Sequence, residues 1–278
     1  MATNEMIILL NYDIRFNIML GISSITVTAD ALRHWKVTWV QEEKVFARRY
    51  SMIPLSDVDR RPLSFPIVTA GIILLNFIVF LVELSQGDAF VERWSLVPYN
   101  VTHGTALATV LTAMFLHGSW LHIISNMVFL WAFGPEIEDA MGKGRYLAFY
   151  LLAGLVAMVV QVAAIPFSHV PNLGASGAIA GVMGVFLVTY PHDRIRTLLF
   201  IFVFVTITYI PAAVLVGLWF LLQLFSAAGS MVSNQSVSGG VAYMAHIGGF
   251  LFGAFLGRLF ERRNGSNDSM ITGFIPHL

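Results

Sequence analysis

The sequence predicts an all-α polytopic membrane protein, a bundle of six transmembrane helices with a long first outer loop. Three observations support this fold class. Of the 278 residues, 57% are hydrophobic and only 12% are charged, about half the charged share of an ordinary soluble domain. The chain also contains six apolar stretches of nearly spanning length. Finally, basic residues concentrate in alternate connections between these stretches.

A membrane span requires about 20 mostly apolar residues, and fewer where the helix ends in a cavity lined by protein. The six predicted spans are 67–84, 120–134, 146–166, 176–190, 211–225 and 241–260. The segment 197–210 is also apolar but rich in β-branched residues, and we expect Pro211 to separate it from the fifth span. We therefore expect this segment to be interfacial or a seventh, shorter element.

The positions of the basic residues are consistent with six spans. If the N-terminal arm is inside, almost all of the basic residues near the spans are inside as well, and the outer loops keep only Arg93. This asymmetry predicts that both chain ends are cytoplasmic, most simply at a cell (inner) membrane, and a seventh full span would destroy it. The inner residues are Arg48, Arg49, Arg60, Arg61, Lys143, Arg145, Arg194, Arg196, Arg258, Arg262 and Arg263.

The predicted organisation has three parts: an N-terminal cytoplasmic extension (1–62), a six-helix core (63–263) and a short polar C-terminal tail (264–278). We expect residues 1–51 to be a poorly structured extension or the product of an upstream start site. The net charge is zero and no Lys/Arg run is present, so we expect no nucleic-acid partner. Without cysteines, the chain can form neither disulfides nor thiolate metal sites. We expect no cofactor.

A serine lies between glycines at the start of the fourth span, in Gly174-Ala175-Ser176-Gly177. This stretch approximates the Gly-x-Ser-x-Gly nucleophile signature, with Ala178 at the last position. In soluble α/β-hydrolases that signature follows a strand. Here it opens an apolar segment, which indicates hydrolysis inside a membrane.

Four polar side chains from three predicted spans fall in one layer: Ser176, His246, His122 and Asn126. Counted along the helices from the inner charges, they lie roughly 15 to 23 Å above the inner boundary of a core about 30 Å thick. Such groups are costly in hydrocarbon, so a shared layer indicates a water-accessible cavity.

Small residues recur at four-residue spacing on two of these spans, Ser176, Ala180 and Gly184 on the fourth and Gly249, Gly253 and Gly257 beside His246 on the sixth. If these ridges pack together, the serine and the histidine come within hydrogen-bond reach. A serine needs such a base. His122 and Asn126 share one helix face, and with the Ser176 backbone N–H they could stabilise an oxyanion.

With these residues the chain resembles the rhomboid family of intramembrane serine proteases, over roughly residues 52–263. The resemblance rests on His122-Ile-Ile-Ser-Asn126, Gly134-Pro-Glu-Ile-Glu138-Asp-Ala-Met-Gly142, Gly174-Ala-Ser176-Gly177 and Ala245-His246-Ile-Gly248-Gly249. The resemblance implies a Ser176–His246 dyad without a third acid and an oxyanion site of His122, Asn126 and the Ser176 backbone. It also implies a structural Glu138 that ties the first loop to its neighbours, and cleavage of transmembrane substrates near the outer face. Some rhomboids carry a tyrosine that stacks on the histidine, where this chain has Ala180, so the imidazole must be oriented in another way.

Other interpretations stay open at this point. His246 and Asn126 could be interhelical hydrogen-bonding residues, and His122 could be a helix cap. The glycines Gly134, Gly142, Gly174, Gly177, Gly249 and Gly253 are packing residues first. His117 and His122 raise a metal-site alternative, although further ligands are not evident. As a whole, the protein could be an inactive rhomboid-like client-binding protein or a small-solute transporter. The expected partners are transmembrane protein substrates and the lipid bilayer, and neither the substrate nor the oligomeric state follows from the sequence.

Overall fold

The computed structural model describes residues 50–60, 62–201, 204–232 and 242–262, with the side chains of 50–51, 201 and 229–232 left aside. Expectations for residues 1–49 and for the tail 264–278 lie outside the described residues. The elements, in chain order, are β1 (Tyr50–Asp57), α1 (Ile67–Gln86), α2 (Asp88–Trp94), α3 (Pro98–Thr102), α4 (Thr109–Thr112) with a 3₁₀ turn (Ala113–Phe115), α5 (Trp120–Met141), α6 (Lys143–Ala164), α7 (Ser176–Thr189), β2 (Arg194–Ile201), β3 (Phe204–Pro211), α8 (Ala212–Val232), α9 (Tyr243–Leu256) and a 3₁₀ turn (Gly257–Phe260).

Each of the six predicted apolar stretches contains one helix, but the helices differ in length. Within the described residues, three are long and apolar enough to cross a membrane: α1, α6, and α9 with its terminal turn. A fourth is counted if α4 with its turn and α5, bent by 89° relative to each other, form one span. The helix α7 has only 14 residues, about 21 Å of rise against a hydrocarbon core of about 30 Å. The protein is therefore mostly helical, with three to four spans by length.

The helix α5 extends further than the sequence predicts. It begins at Trp120, where the Ser119 side chain accepts a hydrogen bond from the His122 backbone N–H. It then continues through Pro135 to Met141 instead of ending near residue 134. Gly142, with φ of 80°, ends α5 and directly precedes α6. Such a φ favours glycine, so this residue permits the sharp change of direction between two long helices.

The segment after α7 is not helical, which corrects the expectation of an all-α fold. Residues 194–201 and 204–211 form strands β2 and β3, and the three-stranded sheet has the order β1-β2-β3. Runs of β-branched and aromatic residues favour strands over helices, which explains the difference.

The described chain comprises two compact units: residues 50–52 and 199–206 belong to one, and the other described residues belong to the second.

Helices α7 and α9 pack through their backbones. A Cβ atom on Gly249 would overlap the carbonyl oxygen of Gly177, and one on Gly253 would overlap that of Gly181. The contact face of α7 therefore includes Gly177 and Gly181, and also Gly184 of the predicted ridge, where a Cβ atom would overlap the Phe250 carbonyl oxygen of α9. Close approach of this kind requires glycine, because any side chain would push the helices apart. It brings the N-terminal halves of α7 and α9 to the same level.

Glu138 binds a different element from the one expected. Its carboxylate accepts hydrogen bonds from the backbone N–H groups of Val68 and Thr69 (3.0 and 2.8 Å) and from the Thr69 hydroxyl (2.9 Å). It therefore stabilises the N-terminus of α1, where free N–H groups attract an anion. The first outer loop is held by Glu83 instead, whose two carboxylate oxygens accept from the His117 backbone N–H at 3.0 and 3.1 Å.

Gly134 lies where α5 passes close to both α1 and α6. A Cβ on this residue would be 2.7 Å from the Tyr146 hydroxyl oxygen and 3.0 Å from the Thr69 side chain. Tyr146 is fully buried at this crossing. Three helices thus meet beside the Glu138 carboxylate, and this junction supports α5 at the end opposite to His122.

Candidate active site

Ser176 and His246 are in direct contact. Ser176 is the first residue of α7, and His246 lies in the first turn of α9. The serine Oγ and the histidine Nε2 are 2.7 Å apart, within hydrogen-bond distance. His246 is buried and Ser176 is half-buried. The backbone packing of α7 against α9 thus brings the two predicted residues together.

The second ring nitrogen of His246 has a partner that sequence reasoning missed. Its Nδ1 lies 2.8 Å from Oε1 of Gln223, which is on α8. One turn earlier on the same helix, the Trp219 ring packs against the imidazole with centroids 5.8 Å apart and planes at 40°. Because Ala180 cannot stack on the imidazole, the sequence indicated that another residue orients the ring. The single glutamine in the apolar stretch 211–225 was the feature of the sequence that could have identified this residue.

His122 reaches the same place from α5. A Cβ atom on Gly174 would lie 2.9 Å from both Cε1 and Nε2 of the His122 ring and 3.7 Å from the Ser176 Oγ. Gly174 has φ of 124°, a conformation that essentially only glycine adopts. Any side chain at Gly174 would press against the His122 imidazole, so glycine at this position lets the ring pack close to the backbone beside the Ser176 hydroxyl.

Asn126 lies one turn after His122 on α5 and is buried. Its side-chain Nδ2 is buried without a hydrogen-bond partner among the described residues. An unpaired buried amide donor is costly, so it calls for a functional or a solvent explanation. The His117 ring packs edge-on against His122 at 5.1 Å, and both of its nitrogens are also buried without partners there. No three histidine or carboxylate side chains in the described part of the chain form a metal-binding group.

A hydrogen-bond network holds the loop before Ser176. The Gly174 N–H donates to the Ala113 carbonyl at 2.8 Å. The Gln161 amide donates to the Asn172 side chain at 3.0 Å and accepts from the Ala245 N–H at 3.1 Å. Gln161 on α6 therefore links this loop to the start of α9, beside His246. These contacts limit the relative movement of the serine and the histidine.

The part of the chain that contains His122, Ser176 and His246 is similar to a known protein family. The family model of the rhomboid domain matches residues 104–263, more than half of the chain. The chain belongs to the rhomboid family. The match includes the residues around His122, Ser176 and His246, and together with the apolar helices it identifies an integral membrane protein.

Two rhomboid relatives illustrate the extent of the similarity. The chain is 31% identical over 201 residues to the rhomboid protease GluP of Bacillus subtilis (strain 168), a match that covers 69% of this chain and 35% of that protein. It is 28% identical over 188 residues to the mitochondrial Rhomboid protein 1 of Saccharomyces cerevisiae, covering 66% of this chain and 50% of the relative. The similarity thus spans half or less of the length of these relatives.

Proposed function

We propose that this rhomboid-family protein is an intramembrane serine endopeptidase that cleaves transmembrane segments of other membrane proteins. The observation that carries the proposal is the 2.7 Å contact between Ser176 Oγ and His246 Nε2. A serine hydroxyl is a weak nucleophile unless a base removes its proton, and this contact supplies the base. An inactive client-binding protein has no need of this contact, so its presence favours the protease.

In the proposed reaction, His246 Nε2 accepts the Ser176 proton while Oγ attacks the scissile carbonyl carbon. The resulting tetrahedral intermediate collapses as the imidazolium donates that proton to the leaving amine nitrogen. Water then attacks the acyl-enzyme, with the same imidazole as base, and releases the carboxylate product. Ser176 is half-buried and not fully enclosed, and the reaction requires that the substrate and water reach it.

The oxyanion of the intermediate requires hydrogen-bond donors aimed at it. We assign this role to the His122 ring, the Asn126 amide and the Ser176 backbone N–H. The His122 ring and the Ser176 Oγ both lie close to Gly174, and the Asn126 Nδ2 has no hydrogen-bond partner among the described residues. The Ser176 N–H is in the first turn of α7, where N–H groups have no intrahelical acceptor.

The substrate class follows from the chemistry. A carbonyl in an intact helix is hydrogen-bonded and shielded by side chains, so the substrate helix must unwind locally before Ser176 can attack it. Helix-destabilising residues near the cleavage site should therefore favour cleavage. We place the six apolar helices across the bilayer as six spans, with α7 entering a protein-lined cavity and both chain ends on the cytoplasmic side.

An active-site fluorophosphonate tests the proposal on the full chain in detergent or in liposomes. We expect the wild type to be labelled and to cleave a reconstituted transmembrane substrate, and Ser176→Ala to lose both activities. His246→Ala should retain its fold, judged by thermal unfolding, and lose cleavage. Ser85→Ala is the matched control because Ser85 is exposed and its hydroxyl donates to the Val82 carbonyl of its own helix. A folded wild type that neither reacts nor cleaves would refute the protease function and favour a client-binding protein.

A further inference from the structure

We propose that Gln223 is a positioning residue that holds His246 in the tautomer and orientation required to activate Ser176. The inference rests on the proposed protease function and adds a third member to its catalytic pair. It starts from the contact between Gln223 Oε1 and His246 Nδ1, at 2.8 Å. Among the described residues the Gln223 side chain is hydrogen-bonded to His246 and not to Ser176, so we assign it a role that acts through the imidazole.

The geometry assigns the protons of the imidazole. A neutral imidazole carries one N–H and one acceptor nitrogen, and the partner of one nitrogen sets the state of the other. The amide oxygen of Gln223 can only accept, so His246 Nδ1 carries the hydrogen. The lone pair is then on Nε2, which faces the Ser176 hydroxyl at 2.7 Å. Without this acceptor, the ring could place its hydrogen on Nε2 and lose its ability to take the serine proton.

Glutamine suits this position because of its surroundings. The side chain is half-buried on α8, next to exposed residues such as Leu222 and Leu224. A carboxylate on an apolar span would be costly to bury, whereas an amide supplies the same acceptor oxygen without a charge. The imidazolium that forms during the reaction is therefore stabilised by the amide dipole of Gln223. In a Ser-His-Asp triad, the aspartate stabilises it with a full negative charge.

A second contact from the same helix supports the assignment. Trp219 is one turn before Gln223 and packs against the face of the His246 ring. The Trp219 ring also packs against Phe250 of α9, with centroids 6.3 Å apart. Ala180, fully buried on α7, has no side chain that could perform this role. Thus α8 supplies both the acceptor and the packing surface that orient the imidazole.

Kinetics of Gln223 variants test the positioning role. We expect Gln223→Ala and Gln223→Leu to lower kcat by roughly 10- to 1000-fold with KM almost unchanged. In a serine protease triad, fixing the histidine in the wrong tautomer lowers kcat about 10,000-fold. Loss of Gln223 removes the acceptor without fixing the wrong tautomer, so its effect should be smaller. Gln223→Glu should recover part of the rate and move the acidic limb of the pH–rate profile to higher pH, because a carboxylate stabilises the imidazolium. Leu222→Ala on the same helix is the matched control. Full kcat in both Gln223→Ala and Gln223→Leu would overturn the proposal.

Nitrogen NMR of histidine-labelled protein gives a readout that does not depend on turnover. In a Ser176→Ala background, the His246 resonances, identified by their loss in His246→Asn, should show a protonated Nδ1 and a bare Nε2. Adding Gln223→Ala should shift the population toward protonated Nε2. An unchanged tautomer population overturns the role of Gln223 whether or not the wild type cleaves. Lack of Ser176-dependent labelling in the wild type refutes the protease function separately.

Discussion

Replacing Gly174 by alanine adds one methyl group at the centre of the candidate site. That methyl would be 2.9 Å from two atoms of the His122 ring, where ordinary van der Waals contact begins at 3.4 Å, so the ring would have to move by about half an ångström. Displacements of about 0.5 Å are enough to disturb a preorganised site. Because we assign the His122 ring as an oxyanion donor, this movement would disturb the proposed oxyanion site.

The backbone adds a separate cost to the Gly174→Ala change. At φ of 124°, an alanine is strained by about 1 to 3 kcal/mol. We therefore expect a decrease of this size in the free energy of unfolding. Because loss of one oxyanion donor typically costs about 100- to 1000-fold in kcat, we expect a loss of cleavage of that order in the protein that remains folded.

The assay for Gly174→Ala combines thermal unfolding with the rate of cleavage of a transmembrane substrate, normalised to folded protein. Gly104→Ala is the matched control, since Gly104 has φ of 73° with open space around it and therefore reports backbone strain alone. We expect Gly104→Ala to lose some stability and to keep its activity. A Gly174→Ala protein that cleaves as fast as the wild type would refute the assignment of the His122 ring as an oxyanion donor.

Two further predictions concern stability at the end of the bundle opposite to the site. Glu138→Ala removes the acceptor of the Val68 and Thr69 backbone N–H groups, of which the Thr69 group is buried, and one acceptor of the Thr69 hydroxyl. We therefore expect a loss of about 2 kcal/mol in unfolding free energy, with a smaller loss in Glu138→Gln. Equal stability of Glu138→Ala and wild type in thermal unfolding would contradict this role. Burial raises the pKa of Asp57 to about 6, so the folded protein binds the carboxyl proton more tightly than the unfolded chain does. The protonated Asp57 carboxyl therefore stabilises the fold below about pH 4, and this stabilisation is lost as the pH rises to about 6. Asp57→Asn should reduce the dependence of the unfolding temperature on pH over this interval, and a slope identical to that of the wild type would count against the buried carboxyl.

The rhomboid family and the positions of the helices could be predicted from the sequence, because apolar stretches and short motifs are local properties of the chain. The rhomboid family is confirmed by the match over residues 104–263. Small residues at four-residue spacing indicated that two helices pack closely, and the structure places Ser176 and His246 in contact there. Glycine spacing and helix periodicity depend only on neighbouring residues, so both are readable without the fold.

Only the tertiary structure decided which side chains complete the site and which face of each helix is used. Gln223 is 23 residues before His246, and its contact depends on how α8 rotates against α9, which no local pattern specifies. The same reason explains why Glu138 stabilises α1 rather than the first outer loop. The pairing of Ser176 with His246 follows from the chain itself, whereas the orientation of the His246 ring depends on a helix that the sequence pattern marked only as apolar.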